Sequence, residues 1–174
     1  MRYEHLVQIN DLERPDLPLL ERQQLWSGLL ARAERPALFD DSVDAAHSLS
    51  READRLELEI VRGSSTTRAT AILRAGAAIE IGVGAGSVFA GSALTIAIEE
   101  PAPRALFLRF TYELRGPGVP VDEAELGALR QAYYYADLEL VRRIRALVPG
   151  AAGTVAAWRD GELHPSRAGL GGAR

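Results

Sequence analysis

Hydrophobic and polar positions alternate along most of this chain, and twice the alternation gives way to a helical period. Over residues 3–10, Tyr3, His5, Val7 and Ile9 fall on one side and Glu4, Leu6 and Gln8 on the other, which predicts a strand with one wet face. A connector, Pro15-Asp-Leu-Pro18, follows. Residues 21–34 then carry Leu25, Trp26, Leu29, Leu30 and Ala33 at helical spacing, and Pro36 stops that helix. Residues 37–39 begin a second short helix. The middle of the chain predicts six more strands, over 43–50, 55–62, 66–75, 77–83, 88–99 and 104–115. Leu56, Leu58 and Ile60 share a face, as do Leu94, Ile96 and Ile98, and Leu106, Leu108, Phe110, Tyr112 and Leu114. Turn residues at 52–54, 62–64, 75–76 and 100–103 separate them. Such short connections imply an antiparallel meander.

The last element is a long helix over 123–148, roughly 39 Å at 1.5 Å per residue. Asp122 is placed to cap it, Glu125 completes a capping box, and Val121 and Leu126 occupy the staple positions. Asp122, Glu123 and Glu125 at its start, and Arg142, Arg143 and Arg145 at its end, match the helix dipole. Pro149-Gly150 ends it. At about 100° per residue, Leu126, Leu129, Tyr133, Ala136, Leu140, Ile144 and Leu147 form the inward stripe. The run Tyr133-Tyr134-Tyr135 is thereby split. Tyr133 faces the core, Tyr134 stands on its shoulder with Leu138 and Val141, and Tyr135 points away beside Arg142. Asp137 falls near the centre of the stripe. A carboxylate there needs a partner or water. It is either one half of a structural pair or a polar spot at the base of a pocket.

At 174 residues the chain is long enough for one domain with a core, here 1–149, followed by a Gly/Ala/Arg-rich tail over 150–174. Its net charge of −4 argues against nucleic acid as a partner. No apolar run approaches the roughly 18 residues of a membrane span, and the polar start is no signal peptide, so a cytoplasmic location is expected. There is no cysteine, which excludes disulfides and thiolate chemistry, and all 20 basic residues are arginine, which excludes Schiff-base chemistry. The arginine- and alanine-rich usage fits a GC-rich bacterial genome.

Several motif-like stretches carry no chemistry. "GVGAGSVFAGS" (82–92) lacks the third glycine of a dinucleotide loop and runs into a predicted strand rather than a helix. It reads as a hairpin or bulge. No Gly-x-Ser-x-Gly elbow is present. His5, His47 and His164 have no metal-ligand spacing, and His5 reads as a satisfied core histidine. Asp40-Asp41 and Glu99-Glu100 read as solvated turn residues. Neither a cofactor nor a metal is expected.

The order strand, two helices, six strands, long helix resembles the helix-grip fold of the SRPBCC superfamily, which includes START domains, birch-pollen-allergen-like proteins and polyketide cyclases. "YEHLVQIND", "PLLERQQLWSGLLARAERPALF" and "AYYYADLELVRRIRAL" resemble its AtaL-like branch, named from the acetylaranotin biosynthesis cluster, over residues 1–148. The resemblance implies an α+β fold in which a curved seven-stranded antiparallel sheet wraps the C-terminal helix. It transfers no catalytic residue. One departure is Leu20, which stands where a threonine cap of the first helix is expected.

Small inward residues (Ala69, Ala71, Ala77 and the glycines of 82–91), with only four Phe and two Trp in the chain, leave room for an apolar cavity between sheet and helix. Its candidate lining is Trp26, Tyr112, Tyr133 and Asp137, with Tyr134 at the rim. Three functions follow. One is a carrier or sensor of a hydrophobic small molecule. Another is a cyclase/aromatase- or hydrolase-type enzyme in which Tyr133 and Asp137 orient or protonate a polyketide-like substrate. The third is a structural protein with a filled core, forming a homodimer through the Tyr135–Leu138 flank.

Overall fold

The structure, a computed structural model, describes residues 1–14, 17–84, 91–114 and 122–148. Seven strands form one sheet: β1 (Arg2–Gln8), β2 (Ala45–Arg51), β3 (Arg55–Arg62), β4 (Ser65–Arg74), β5 (Ala78–Val83), β6 (Ser92–Glu99) and β7 (Phe107–Leu114). Every neighbouring pair is antiparallel, in the order β1-β7-β6-β5-β4-β3-β2. The sheet is curved. Among the described residues two helices accompany it, α1 (Arg22–Glu34) and α2 (Glu123–Leu147), with a 3₁₀ turn over Pro36–Leu38. The architecture is the α+β arrangement that the sequence pattern predicts.

The reversals are chemically plain. Gly63 and Gly76 sit at φ +55° and +67° in the β3–β4 and β4–β5 turns, a left-handed backbone that a side chain would strain. β1 and β2 are consecutive in sequence but lie at opposite edges of the sheet. The chain between them, including α1, therefore crosses from one edge to the other. The fixed point of this crossing is Asn10, which is buried. Its Nδ2 donates to Leu20 O at 2.8 Å and Arg104 O at 2.9 Å, and its Oδ1 accepts from the Leu20 amide at 2.9 Å. One amide thus ties the end of β1 to the entry of α1 and to the loop before β7.

Leu20 is therefore not a helix cap. It is buried, the cap position belongs to Glu21, and Gln24 Oε1 accepts from the Glu21 amide at 2.8 Å. At α2, Asp122 does cap the helix, through the Ala124 amide at 2.6 Å. The inward stripe of α2 is rotated from the expected one. Asp137, Leu140, Val141, Ile144 and Arg145 are buried, while Ala136 and Leu147 are exposed. Arg145 turns inward because its guanidinium finds backbone acceptors, Pro18 O at 2.7 Å and Ile9 O. Ala69 and Ala71 are buried as expected, whereas Ala77 is exposed. The acidic pairs are engaged rather than merely solvated. Asp40 Oδ1 accepts from Ser42 and its Oδ2 from Arg62; Asp41 pairs with Arg143, and Glu99 with Arg109. The glycine-rich stretch at 85–90 and the tail over 150–174 lie outside the described residues.

The two helices touch at Gly28. A Cβ on this residue would lie 2.4 Å from Ile144 Cγ2, and Ile144 is fully buried. Alanine would gain about 1 kcal/mol in helix propensity, but overpacking of a full core costs typically about 1–3 kcal/mol. Gly28→Ala is expected to be destabilising by about 1 kcal/mol on balance. Urea unfolding checks this: an unchanged or higher midpoint would show that Ile144 can move aside.

Candidate functional site

Two edge-to-edge strands set the site. In the β1–β7 register Tyr3 stands opposite Tyr112 and His5 opposite Phe110. Alternation turns all four toward α2. His5 stacks on Phe110, with ring centres 5.3 Å apart and planes at 12°. Across the interior, α2 presents Tyr133, Tyr134 and Asp137 within little more than one turn. Tyr133 stacks face to face on Tyr112 at 4.1 Å and 8°. Tyr134 meets His5 edge-on at 5.3 Å and 68°. Arg130 lies over the Tyr3 ring, 5.9 Å from its centre.

Asp137 is the hub. Tyr112 Oη donates to its carboxylate, 2.8 Å from Oδ1 and 2.9 Å from Oδ2. His5 Nε2 lies 3.0 Å from Oδ2, an ion-pair distance whose alignment falls short of a hydrogen bond. Both side chains of this contact are almost shielded from water, with 10% and 5% exposure. Burial pushes the Asp137 carboxyl above the usual carboxylate range, against the opposing pull of His5, Tyr112 and the charge of Arg32. Burial, with the Asp137 charge behind it, also drives the Tyr112 phenol far up. The phenol proton stays on Tyr112 and is directed at Asp137. Tyr133 and Tyr134 are raised as well, again chiefly by burial.

Beside this hub a cleft of about 280 Å³ opens between the sheet and α2. Its apolar wall includes Ile60, Ile81, Val83 and Leu94, and the stacked Tyr112 and Tyr133 form one side. Thr67 and Ser92 add hydroxyls, and Arg32 and Arg62 add charge. Among the described residues the structure thus gathers Tyr112, Tyr133, Tyr134 and Asp137 into one neighbourhood. Trp26 stands apart: it is half-buried against the core and does not line the cleft. His5 and Arg32 are among the site residues that the sequence pattern did not single out. The signals were there. His5 shares its face with Tyr3 and Val7, and Arg32 falls seven residues after Leu25, on the buried side of α1.

The family profile described as acetylaranotin biosynthesis cluster protein L (AtaL) matches residues 7–150. The chain belongs to this family. No protein of curated function matches it. Solved structures with the same fold include the di-domain ARO/CYC StfQ from the steffimycin biosynthetic pathway, at TM-score 0.61 and 15% identity over 87% of this chain and 52% of that one. A START superfamily protein from Mycobacterium smegmatis matches at 0.57 and 14%, over 84% and 99%. Ara h 8.0201 matches at 0.54 and 7%, over 83% and 97%. These similarities establish the helix-grip fold for this AtaL-family chain. Among its described residues no helix is long and apolar enough to cross a membrane, and no cluster of three or more His, Asp and Glu could hold a metal.

The raised Asp137 carboxyl has a consequence for stability. A carboxyl whose folded value lies above its ordinary 3.8 binds its proton more tightly in the folded state. Its burial is therefore least unfavourable below that ordinary value, and stability is lost as pH rises through the folded value. Asp137→Asn keeps an acceptor for Tyr112 and removes this loss. Compared by urea unfolding from pH 8 down to pH 4, the wild type is expected to gain stability relative to the variant. Repeating the series with His5→Gln in both chains removes the imidazole's own titration. A difference that does not change with pH would refute the burial assignment.

Proposed function

We propose that this AtaL-family protein binds a small, mainly apolar and aromatic molecule in the cleft between sheet and α2, as a carrier or sensor. The observation that carries this reading is the Tyr112–Tyr133 stack, which presents an aromatic flank to a space whose remaining wall is chiefly aliphatic, with Thr67, Ser92 and two arginines as its polar part. Flat rings pack there by area and by offset stacking, at about 25 cal/mol per Å² of apolar surface removed from water. The polar groups behind the stack hydrogen-bond one another. Tyr112 directs its one O–H at Asp137, so it has no hydrogen left to donate to a ligand. A site organised this way holds a molecule more readily than it protonates one. The ARO/CYC neighbour and the START neighbour are compatible with it at the level of fold alone.

A second reading rests on one contact, His5 Nε2 at 3.0 Å from Asp137 Oδ2. A carboxyl raised by burial beside an imidazole is a pair suited to moving a proton. In a cyclase/aromatase-type enzyme, Tyr133 would position a polyketide-like substrate near that pair. The carrier reading is preferred because neither His5 nor Asp137 lines the cleft. Turnover of a linear poly-β-ketone mimic that is lost in Asp137→Asn would reverse the preference.

For the carrier reading the probe is N-phenyl-1-naphthylamine, a neutral fluorophore that brightens in apolar sites. The wild type is expected to bind it saturably at micromolar concentration, and Leu94→Trp, which places an indole in the cleft, is expected to abolish the signal while unfolding cooperatively. Equal binding by both proteins would put the probe elsewhere and remove the cleft from consideration.

A further inference from the structure

The charges around the cleft do not balance, and the imbalance points to the ligand. The chain as a whole is acidic, with a net charge of −4. Yet the described wall of the cleft contains two arginines, Arg32 and Arg62, and no carboxylate. The two arginines differ. Arg62 is occupied, its Nη2 3.2 Å from Asp40 Oδ2 and its Nε 3.2 Å from Ser42 Oγ. Arg32 makes no hydrogen bond and no ion pair with any described residue.

The acids nearest in field to Arg32 are already spoken for. Asp40 is held by Ser42 and Arg62, and Asp137 by Tyr112 and His5. Their charges act on Arg32 only at a distance, and burial is the dominant influence on it, pulling its guanidinium below the ordinary value. A cation in the last turn of a helix is ordinarily explained by the helix dipole. That explanation does not fit a half-buried guanidinium turned to a cleft wall, since the dipole can be met equally well in solvent. Five rigid donors in a fork match a carboxylate in geometry as well as in charge.

We infer that Arg32 is an anion-binding residue and that the ligand is a small aromatic or apolar acid, its carboxylate seated on Arg32 and its ring laid along Tyr112 and Tyr133. This deepens the carrier reading and depends on it. Thr67 and Ser92, in the same wall, supply hydroxyls that can donate to an anion. The cleft thus selects for an acid on one side and a flat ring on the other, which a purely aliphatic space would not do.

The test uses two probes of matched shape, 2-naphthoate, which is anionic, and 2-acetylnaphthalene, which is neutral, titrated by tyrosine and tryptophan fluorescence at low ionic strength. A charge-assisted hydrogen bond predicts that the wild type binds 2-naphthoate at least about tenfold tighter. Arg32→Gln is expected to reduce 2-naphthoate to the affinity of the neutral probe and to leave the neutral probe unchanged. Equal wild-type affinities for the two probes would overturn the inference and leave the carrier reading standing. A preference for 2-naphthoate that survives in Arg32→Gln would overturn the assignment to Arg32. Binding of neither probe would overturn the carrier reading, and the inference with it. If Arg32→Gln does not fold, Arg32→Lys decides the assignment. It keeps the charge but loses the two-pronged geometry, so its affinity for 2-naphthoate is expected to fall severalfold, and an undiminished affinity counts against Arg32.

Discussion

The hydrogen bond from Tyr112 to Asp137 is the constraint on which the interior depends. A long helix packed across a curved sheet can rotate and slide, because apolar side chains do not specify a register sharply. A carboxylate near the middle of the helix changes that. Left without partners in the interior it would be strongly unfavourable, so the helix is stable chiefly where the acid finds Tyr112 and His5. His5 sits on β1 and Tyr112 on β7, neighbouring antiparallel strands drawn from distant parts of the chain. One side chain therefore sets the rotation of α2, and with it the buried stripe of Leu140, Val141, Ile144 and Arg145.

The same constraint explains where the sequence was legible and where it was not. Strands with one wet face declare themselves by alternation, and β3, β6 and β7 lie within a few residues of the expected spans. The inward direction of Asp137 also follows from helical spacing. The neighbouring details depend on partners across space. Ala136 and Leu147 fit the ideal stripe, but the helix turned to serve Asp137 and Arg145, and both ended outside. Leu20 looked like a failed cap because the reason for its position, a pair of hydrogen bonds with Asn10, joins residues on either side of a connector. His5 was recognisable as inward-facing. Its carboxylate lies 132 positions further along the chain, beyond what periodicity can reach.

Arg32 shows the limit from the other side. Spacing alone puts it on the buried side of α1, where an arginine is conspicuous. Pattern reading sets such a residue aside as a helix-terminal charge, because the sequence offers no view of what it faces. Only the closure of the fold shows that it meets a wall with no acid among the described residues.

Gly28 connects these observations. Its missing side chain lets α1 approach α2 until its own backbone meets Ile144. Arg32 is four residues further along α1, one turn on and on nearly the same side. The depth to which the helices interlock at Gly28 therefore governs how far the Arg32 guanidinium extends toward the Tyr112–Tyr133 flank. A larger residue at position 28 would push α1 outward, and the cation would recede from the aromatic wall even with every lining residue intact. Core packing and the shape of the cleft wall are in this sense one variable. A glycine that looks like a weakness in the middle of a helix sets the distance between the charge and the ring surface.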